Sequence, residues 1–343
     1  MSKLLKIMST NRIEYIDVAK GLCMLLVVWQ HTHTYYPSLE TGEFWMESFR
    51  MPLFFIISGM FFKLYNGFGE FMRKKTNQII IPFVFFYLIF SVIIPNLLNS
   101  LGYEGLRQSE KLGWTTSLLN CIFEKVYSNS PVWFLLALLW LNLFFYIIVS
   151  FANKYKYANI ITITFSIILG LCGFFLGVND IFVWANIDNA LTASPFFCFG
   201  YLMFNSKIIV HNHNFKILSL CIVVGIVFTL LLSHGLSFKQ NKWELKDLFP
   251  LYSCGIIGSV AILAISKIAE KSRVLKFYGE NTLTLLCMQM PVIQFVNLFT
   301  KKMGTSPMLE FVLTFIGTIL LFCIIIPFMN RFLPWFVGKK NLI

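Results

Sequence analysis

The stretch EYIDVAKGLCMLLVVWQHTHTYYP, residues 14–37, decides how this chain is read. Its apolar middle, flanks included, matches the roughly 20 residues a helix needs to cross a hydrocarbon core. Yet Asp17 and Lys20 stand at its start, and His31 and His33 at its end. Ionisable groups are expensive in lipid and mark a working face by default. At 100° per residue, Lys20 and His31 fall within about 20° of each other and about 16 Å apart along the axis. Asp17 lies within about 40° of that stripe on its other side, whereas His33 points roughly 160° away. One face therefore carries a charged pair at one end and an imidazole half a bilayer deeper.

Working outward, the rest of the chain repeats the apolar theme. Of 343 residues, 57% are hydrophobic, 38 are Phe and only 13% are charged, where a soluble domain carries roughly 25% charged residues. Apolar runs recur near 16–36, 44–62, 79–99, 131–151, 158–177, 189–205, 215–233, 248–266, 277–299 and 307–329. None alternates with the period of a barrel strand. The expectation is an all-α polytopic membrane bundle of about ten transmembrane helices, forming one integral-membrane domain over 1–343. The sixth run is short and holds Pro195. The gap at 100–130 leaves no room for a soluble domain.

Lysine and arginine set the orientation. With the N-terminus inside, nineteen of the 28 flank the inner loops and eight the outer ones, and Arg50 lies within a span. Both termini are thus expected in the cytoplasm, as tails 1–12 and 331–343. The net charge of +12 then reflects topology and anionic lipid headgroups rather than nucleic acid. No small-x-small site follows the first run, which reads as an uncleaved first helix. The eight cysteines are scattered, mostly within spans, and no Cys/His cluster has metal-ligand spacing. No repeat or pair of matching broken helices suggests a transporter of inverted halves.

Several further residues carry chemistry, each beside a plainer role. His31 reads as a functional imidazole or as a helix-end histidine at the headgroups, and His33 as an interfacial residue. Arg50, in FRMPLFFIISGMFF, reads as a cation in a polar cavity beside His31 or as a snorkelling side chain. Pro52 and the Ser58–Gly59 pair would loosen that helix and let a neighbour approach closely. The segment GEFMRKKTNQIIIP reads as a loop that puts Arg73, Lys74 and Lys75 at the inner surface, anchoring the chain or gripping phosphates. Trp133 opens the fourth span, Asp188 sits at the outer mouth of the sixth, and Glu280 and Asn281 start the ninth, each also a possible cap or boundary residue.

In order along the chain, RIEYIDVAKGLCMLLVVWQHT, SFRMPLFFIISGMFF, FMRKKTNQIIIPF, PVWFLLALLW, IDNALTASPFFCFGYLM and YGENTLTLLCMQ resemble the motifs of acyltransferase family 3. This membrane family includes O-antigen and capsule O-acetylases, nodulation-factor acetylases and fucose 4-O-acetylase-like proteins. Its basic residue, ten intervening residues and histidine stand here as Lys20 and His31. Two positions depart from its pattern. The frequent R-x-x-R pair aligns with Lys75 and Gln78; Arg73 and Lys75 keep charge there without the guanidinium fork. A histidine common in relatives is replaced by Gln289.

The resemblance implies an O-acyltransferase moving an acyl group, usually acetyl, from cytoplasmic acyl-CoA to a hydroxyl of a glycan or lipid-linked sugar. His31 would be general base or acyl carrier, and Arg50 would steady the oxyanion or the acceptor. Lys20, Arg73 and Lys75, with Asp17 orienting Lys20, would hold acetyl-CoA. Asp188, Trp133, Glu280 and Asn281 would meet the acceptor. The donor is acetyl-CoA or another acyl-CoA, without a metal. The setting is a bacterial inner membrane, with lipids as the other partners. Against this stand a transporter or flippase for a glycan or small anion, and a non-catalytic membrane scaffold that would need none of these residues.

Overall fold

Helix α1, Glu14–His33, packs against several other helices of the bundle and ends four residues before Pro37. The computed structural model describes residues 13–39, 43–102, 113–123, 129–206, 214–233, 236 and 243–343. The expected inner tail 1–12 and several loop cations lie outside the described residues. Helix makes up 82% of the structure, and no strand occurs among the described residues.

Eleven further helices follow among the described residues. They are α2 Glu47–Met60, α3 Phe68–Ser100, α4 Trp114–Phe123, α5 Trp133–Ala152, α6 Ala158–Val178 and α7 Ile187–Ser206. The remainder are α8 Phe215–Leu232, α9 Leu248–Ile268, α10 Arg273–Glu280, α11 Thr282–Thr300 and α12 Pro307–Phe332. Each of the ten apolar runs is helical. Seven helices among the described residues are long and apolar enough to cross a membrane: α3, α5, α6, α8, α9, α11 and α12. The other three, α1, α2 and α7, are shorter or more polar and lie within the bundle, as Arg50 and Asp188 show by their burial.

Two glycine pairs set the central packing. Gly21 of α1 rests on the main-chain carbonyl of Leu275 in α10, and Gly279 rests on that of Asp17. Gly59 of α2 and Gly200 of α7 make the same exchange with the carbonyls of Phe197 and Ile56. In both pairs a Cβ would collide with backbone, so any larger residue forces the helices apart. The Ser58–Gly59 pair thus does admit a neighbour. Pro195 is accommodated without breaking α7, because its ring fills the space over Gly170 of α6.

The segment before the third span corrects the sequence reading. It is helix rather than loop: α3 begins at Phe68, so Arg73, Lys74 and Lys75 ride on its first turns. Two π-helical turns, Thr76–Ile80 and Leu88–Ile93, interrupt α3, and each precedes a proline, Pro82 and Pro95. A proline inside a helix lacks an N–H for the carbonyl four residues back and crowds it. Widening the preceding turn relieves the clash, and such turns gather at functional sites.

Candidate functional site

Two adjoining cavities open among α1, α2, α3, α5 and α11. The inner one, of about 190 Å³, is a narrow and largely apolar channel. Lys20 and Met24 line it from α1, Phe54, Ile57 and Ser58 from α2, and Gln78 and Ile79 from α3. Phe134, Leu135 and Leu138 of α5 and Thr282, Leu283 and Leu286 of α11 complete it. The second, of about 450 Å³, is a polar chamber that adds Phe61, Lys63, Tyr65, Lys75 and Asn142. Ile57, Ser58, Gln78, Ile79 and Leu138 belong to both, so the chamber is the channel's vestibule.

The channel has a direction. Away from the chamber it runs from Ser58 to Phe54 on α2, from Leu138 to Phe134 on α5, from Lys20 to Met24 on α1 and from Thr282 to Leu286 on α11. Following the helical register one turn deeper brings Arg50 on α2 and Gln289 and Met290 on α11, while Trp133 adjoins Phe134 on α5. On α1, His31 lies seven residues past Met24, about 10 Å along the axis and within about 20° of the same face. His31 therefore stands beyond the channel's apolar end, on its side of the helix, without lining either cavity. His33 is set apart: its Nε2 meets the Leu39 carbonyl at 2.6 Å and its ring faces Phe311.

Arg50 does not snorkel. It is 2% exposed, its Nη1 donates to the Leu26 carbonyl of α1 at 2.9 Å, and its Nη2 lies 3.5 Å from Glu47 Oε1. Glu47 accepts a hydrogen bond from Gln30, and the Cys23 thiol donates to the Arg50 carbonyl. A guanidinium is thus held between α1 and α2, against a carbonyl five residues before His31. The Glu47–Arg50 spacing of three residues was its sequence signal. Gln30 gave none.

At the mouth, Lys20 Nζ pairs with Asp17 at 2.6 Å, and Asp17 is buried. Lys75 is buried against the Phe71 ring and faces the chamber. Arg73, on the same helix, is exposed and lines neither cavity. Gln78, in the π turn, lines both. Lys63, Tyr65 and Asn142 escaped the sequence reading; the Asn66–Gly67 turn signal marked only the loop. Tyr65 takes φ +56°, a strained conformation for a bulky residue and one that gathers at functional sites. Burial, then Glu70, pushes its phenol above the ordinary tyrosine range, so it stays a neutral donor.

The four residues assigned to the acceptor separate. Trp133 is buried at the deep end of the channel. Asp188 is fully buried where α7 begins, beside the left-handed Ala185 and Asn186, and lines neither cavity. Glu280 and Asn281 lie at the other end, between α10 and α11 beside Thr282. Glu280 is exposed, and Asn281 bonds to the Phe277 carbonyl and to Asn330. Gln289 is fully buried; its Nε2 reaches the Leu286 carbonyl at 3.4 Å, and its Oε1 meets no donor among the described residues.

The acyltransferase domain model of the acyltransferase-3 type matches residues 13–327, and the chain belongs to that family. It is a membrane acyltransferase with several membrane-crossing helices. No curated protein and no solved structure matches it.

Proposed function

We propose that the chain is an O-acyltransferase of ten spans in a bacterial inner membrane, with both termini in the cytoplasm. It moves acetyl from cytoplasmic acetyl-CoA to a hydroxyl of a glycan or lipid-linked sugar. The observation that carries this reading is the pairing of a basic polar chamber with a narrow apolar channel aimed toward Arg50 and His31. CoA asks for that sequence of environments. Its phosphates meet Lys63, Lys75 and Lys20 by charge-assisted bonds, and its pantetheine arm and acyl group follow the apolar walls inward.

The thioester then lies near the channel's end. His31 takes the proton of the acceptor hydroxyl as its oxygen attacks the thioester carbonyl, a role suited to an imidazole. Arg50 steadies the oxyanion of the tetrahedral intermediate. Collapse expels the CoA thiolate, which recovers the proton from His31. Trp133 and Gln289 flank the point where acceptor and thioester meet, and Asp188 orders the outer approach. An apolar channel leading from a basic chamber suits the arm of an acyl-CoA and favours this reading over a transporter of a glycan or small anion, which needs a polar path.

The test is sidedness. Inverted membrane vesicles supplied with radiolabelled acetyl-CoA on their cytoplasmic face should accumulate label in an ester on glycan or glycolipid. Right-side-out vesicles should not. Labelling only from the outer face would overturn the proposal.

A further inference from the structure

The segment after α12 folds back across the outside of the channel. Phe336 stacks on Phe85 of α3, with ring centroids 3.9 Å apart. Gly338, at φ +67°, lies beside α11, where a Cβ on it would just touch the Leu283 side chain. Lys339 Nζ donates to the Glu280 carbonyl at 2.9 Å. The main-chain N–H groups of Leu342 and Ile343 donate to Asn77 Oδ1 at 2.6 and 3.2 Å. Asn77 Nδ2 in turn donates to the Ile343 carbonyl at 2.8 Å and to the Arg73 carbonyl at 2.9 Å.

These anchors fall on two sides of one channel, on α3 at Phe85 and Asn77 and at the junction of α10 and α11 at Glu280 and Leu283. Asn77 is buried in the π turn that carries Gln78 and Ile79, while Leu283 and Thr282 line the channel from α11. A π turn has looser internal bonding than an α-helix, so its shape depends on what holds it from outside. The attachment runs through backbone: the Leu342 side chain is 54% exposed. Without the segment, the buried Asn77 amide would lose three of its four bonds, and unmet buried polar groups are costly.

We infer that residues 336–343 are a strap that ties the α3 and α11 walls of the channel together, with Asn77 as the positioning residue on which donor affinity depends. This rests on the donor reading above. In the full chain, Leu342→Pro removes one N–H that Asn77 accepts, and Leu342→Ala keeps it. Binding of radiolabelled acetyl-CoA to purified protein in lipid nanodiscs, with melting temperature alongside, separates the cases. Leu342→Pro should bind roughly tenfold more weakly, with a modest fall in melting temperature from the lost bond to Asn77. Leu342→Ala should bind like wild type, and deletion of 339–343 should match or exceed the proline variant and carries the test if that variant fails to fold. Wild-type affinity in both the proline and the deletion proteins would overturn the strap. So would an equal loss in the alanine variant. A wild type that binds no acetyl-CoA would instead overturn the donor reading, and the strap with it.

Discussion

The two ends of the bundle are built on opposite principles. Where α1 begins, walls stand apart around a polar chamber, a π turn and a strained Tyr65. Where α1 ends, side-chain hydrogen bonds tie the following segment to α11 and α12. Tyr36 bonds through its hydroxyl to Asn297 at 2.7 Å and Thr314 at 3.0 Å, and Thr300 meets Thr314 at 2.7 Å. Trp29 packs edge-on against Phe311 and Phe315 of α12 beside that network. The difference teaches where each kind of residue acts. Polar groups lining the chamber face a space that a ligand could enter, whereas Tyr36, Asn297, Thr300 and Thr314 spend theirs on one another.

The comparison breaks most sharply if the shared wall is filled. Leu138→Trp places an indole where chamber and channel meet, and acyl transfer should fall about a hundredfold, the scale of a misplaced reactant. Labelled acetyl transfer in membranes measures it, with protein quantified by immunoblot; near-normal transfer would show that the donor goes elsewhere.

A smaller effect sharpens the basic end itself. Lys75→Met should weaken acetyl-CoA binding about tenfold, the worth of a charge-assisted bond. Arg73→Met should leave binding near wild type, because Arg73 lines neither cavity. Equilibrium binding in nanodiscs distinguishes the two, and an Arg73 effect as large as that of Lys75 would move the phosphate site outward along α3.

The smallest change belongs to the far end. Tyr36→Phe deletes the shared hydroxyl of a satisfied network and should cost about 1 kcal/mol of stability. A lowered melting temperature with unchanged donor affinity is the expected pair of results. A change in affinity without one in melting would show that the two ends are coupled.

Much of this was legible before any coordinates. The apolar runs are helical, and seven helices among the described residues are long and apolar enough to cross a membrane, because length and hydropathy specify them; the Lys20–His31 stripe followed from the helical period. The Lys20–Asp17 pair was within reach for the same reason. What stayed hidden depends on contacts between distant segments. The first turns of α3 read as a loop because Arg73, Lys74 and Lys75 mask a helix that continues beyond the apolar run. The π turn at Gln78 has its cause in Pro82, four residues on, but a proline announces a defect without its shape. Lys63, Tyr65 and Asn142 converge only after α2, α3 and α5 have packed. Asn77 looks like any polar residue at a helix start until Leu342 and Ile343 arrive from the far end of the chain.

The central claim is that His31, past the end of the donor channel, is the group that activates the acceptor. The most direct measurement is the ester-linked acyl content of surface glycans in a strain lacking this gene and complemented with wild type or His31→Ala. General-base catalysis contributes roughly a hundredfold to ten-thousandfold. Wild type should restore the acyl group, and His31→Ala, present in the membrane at equal level, should leave it at the deletion strain's value. Full restoration by the alanine protein would contradict the account.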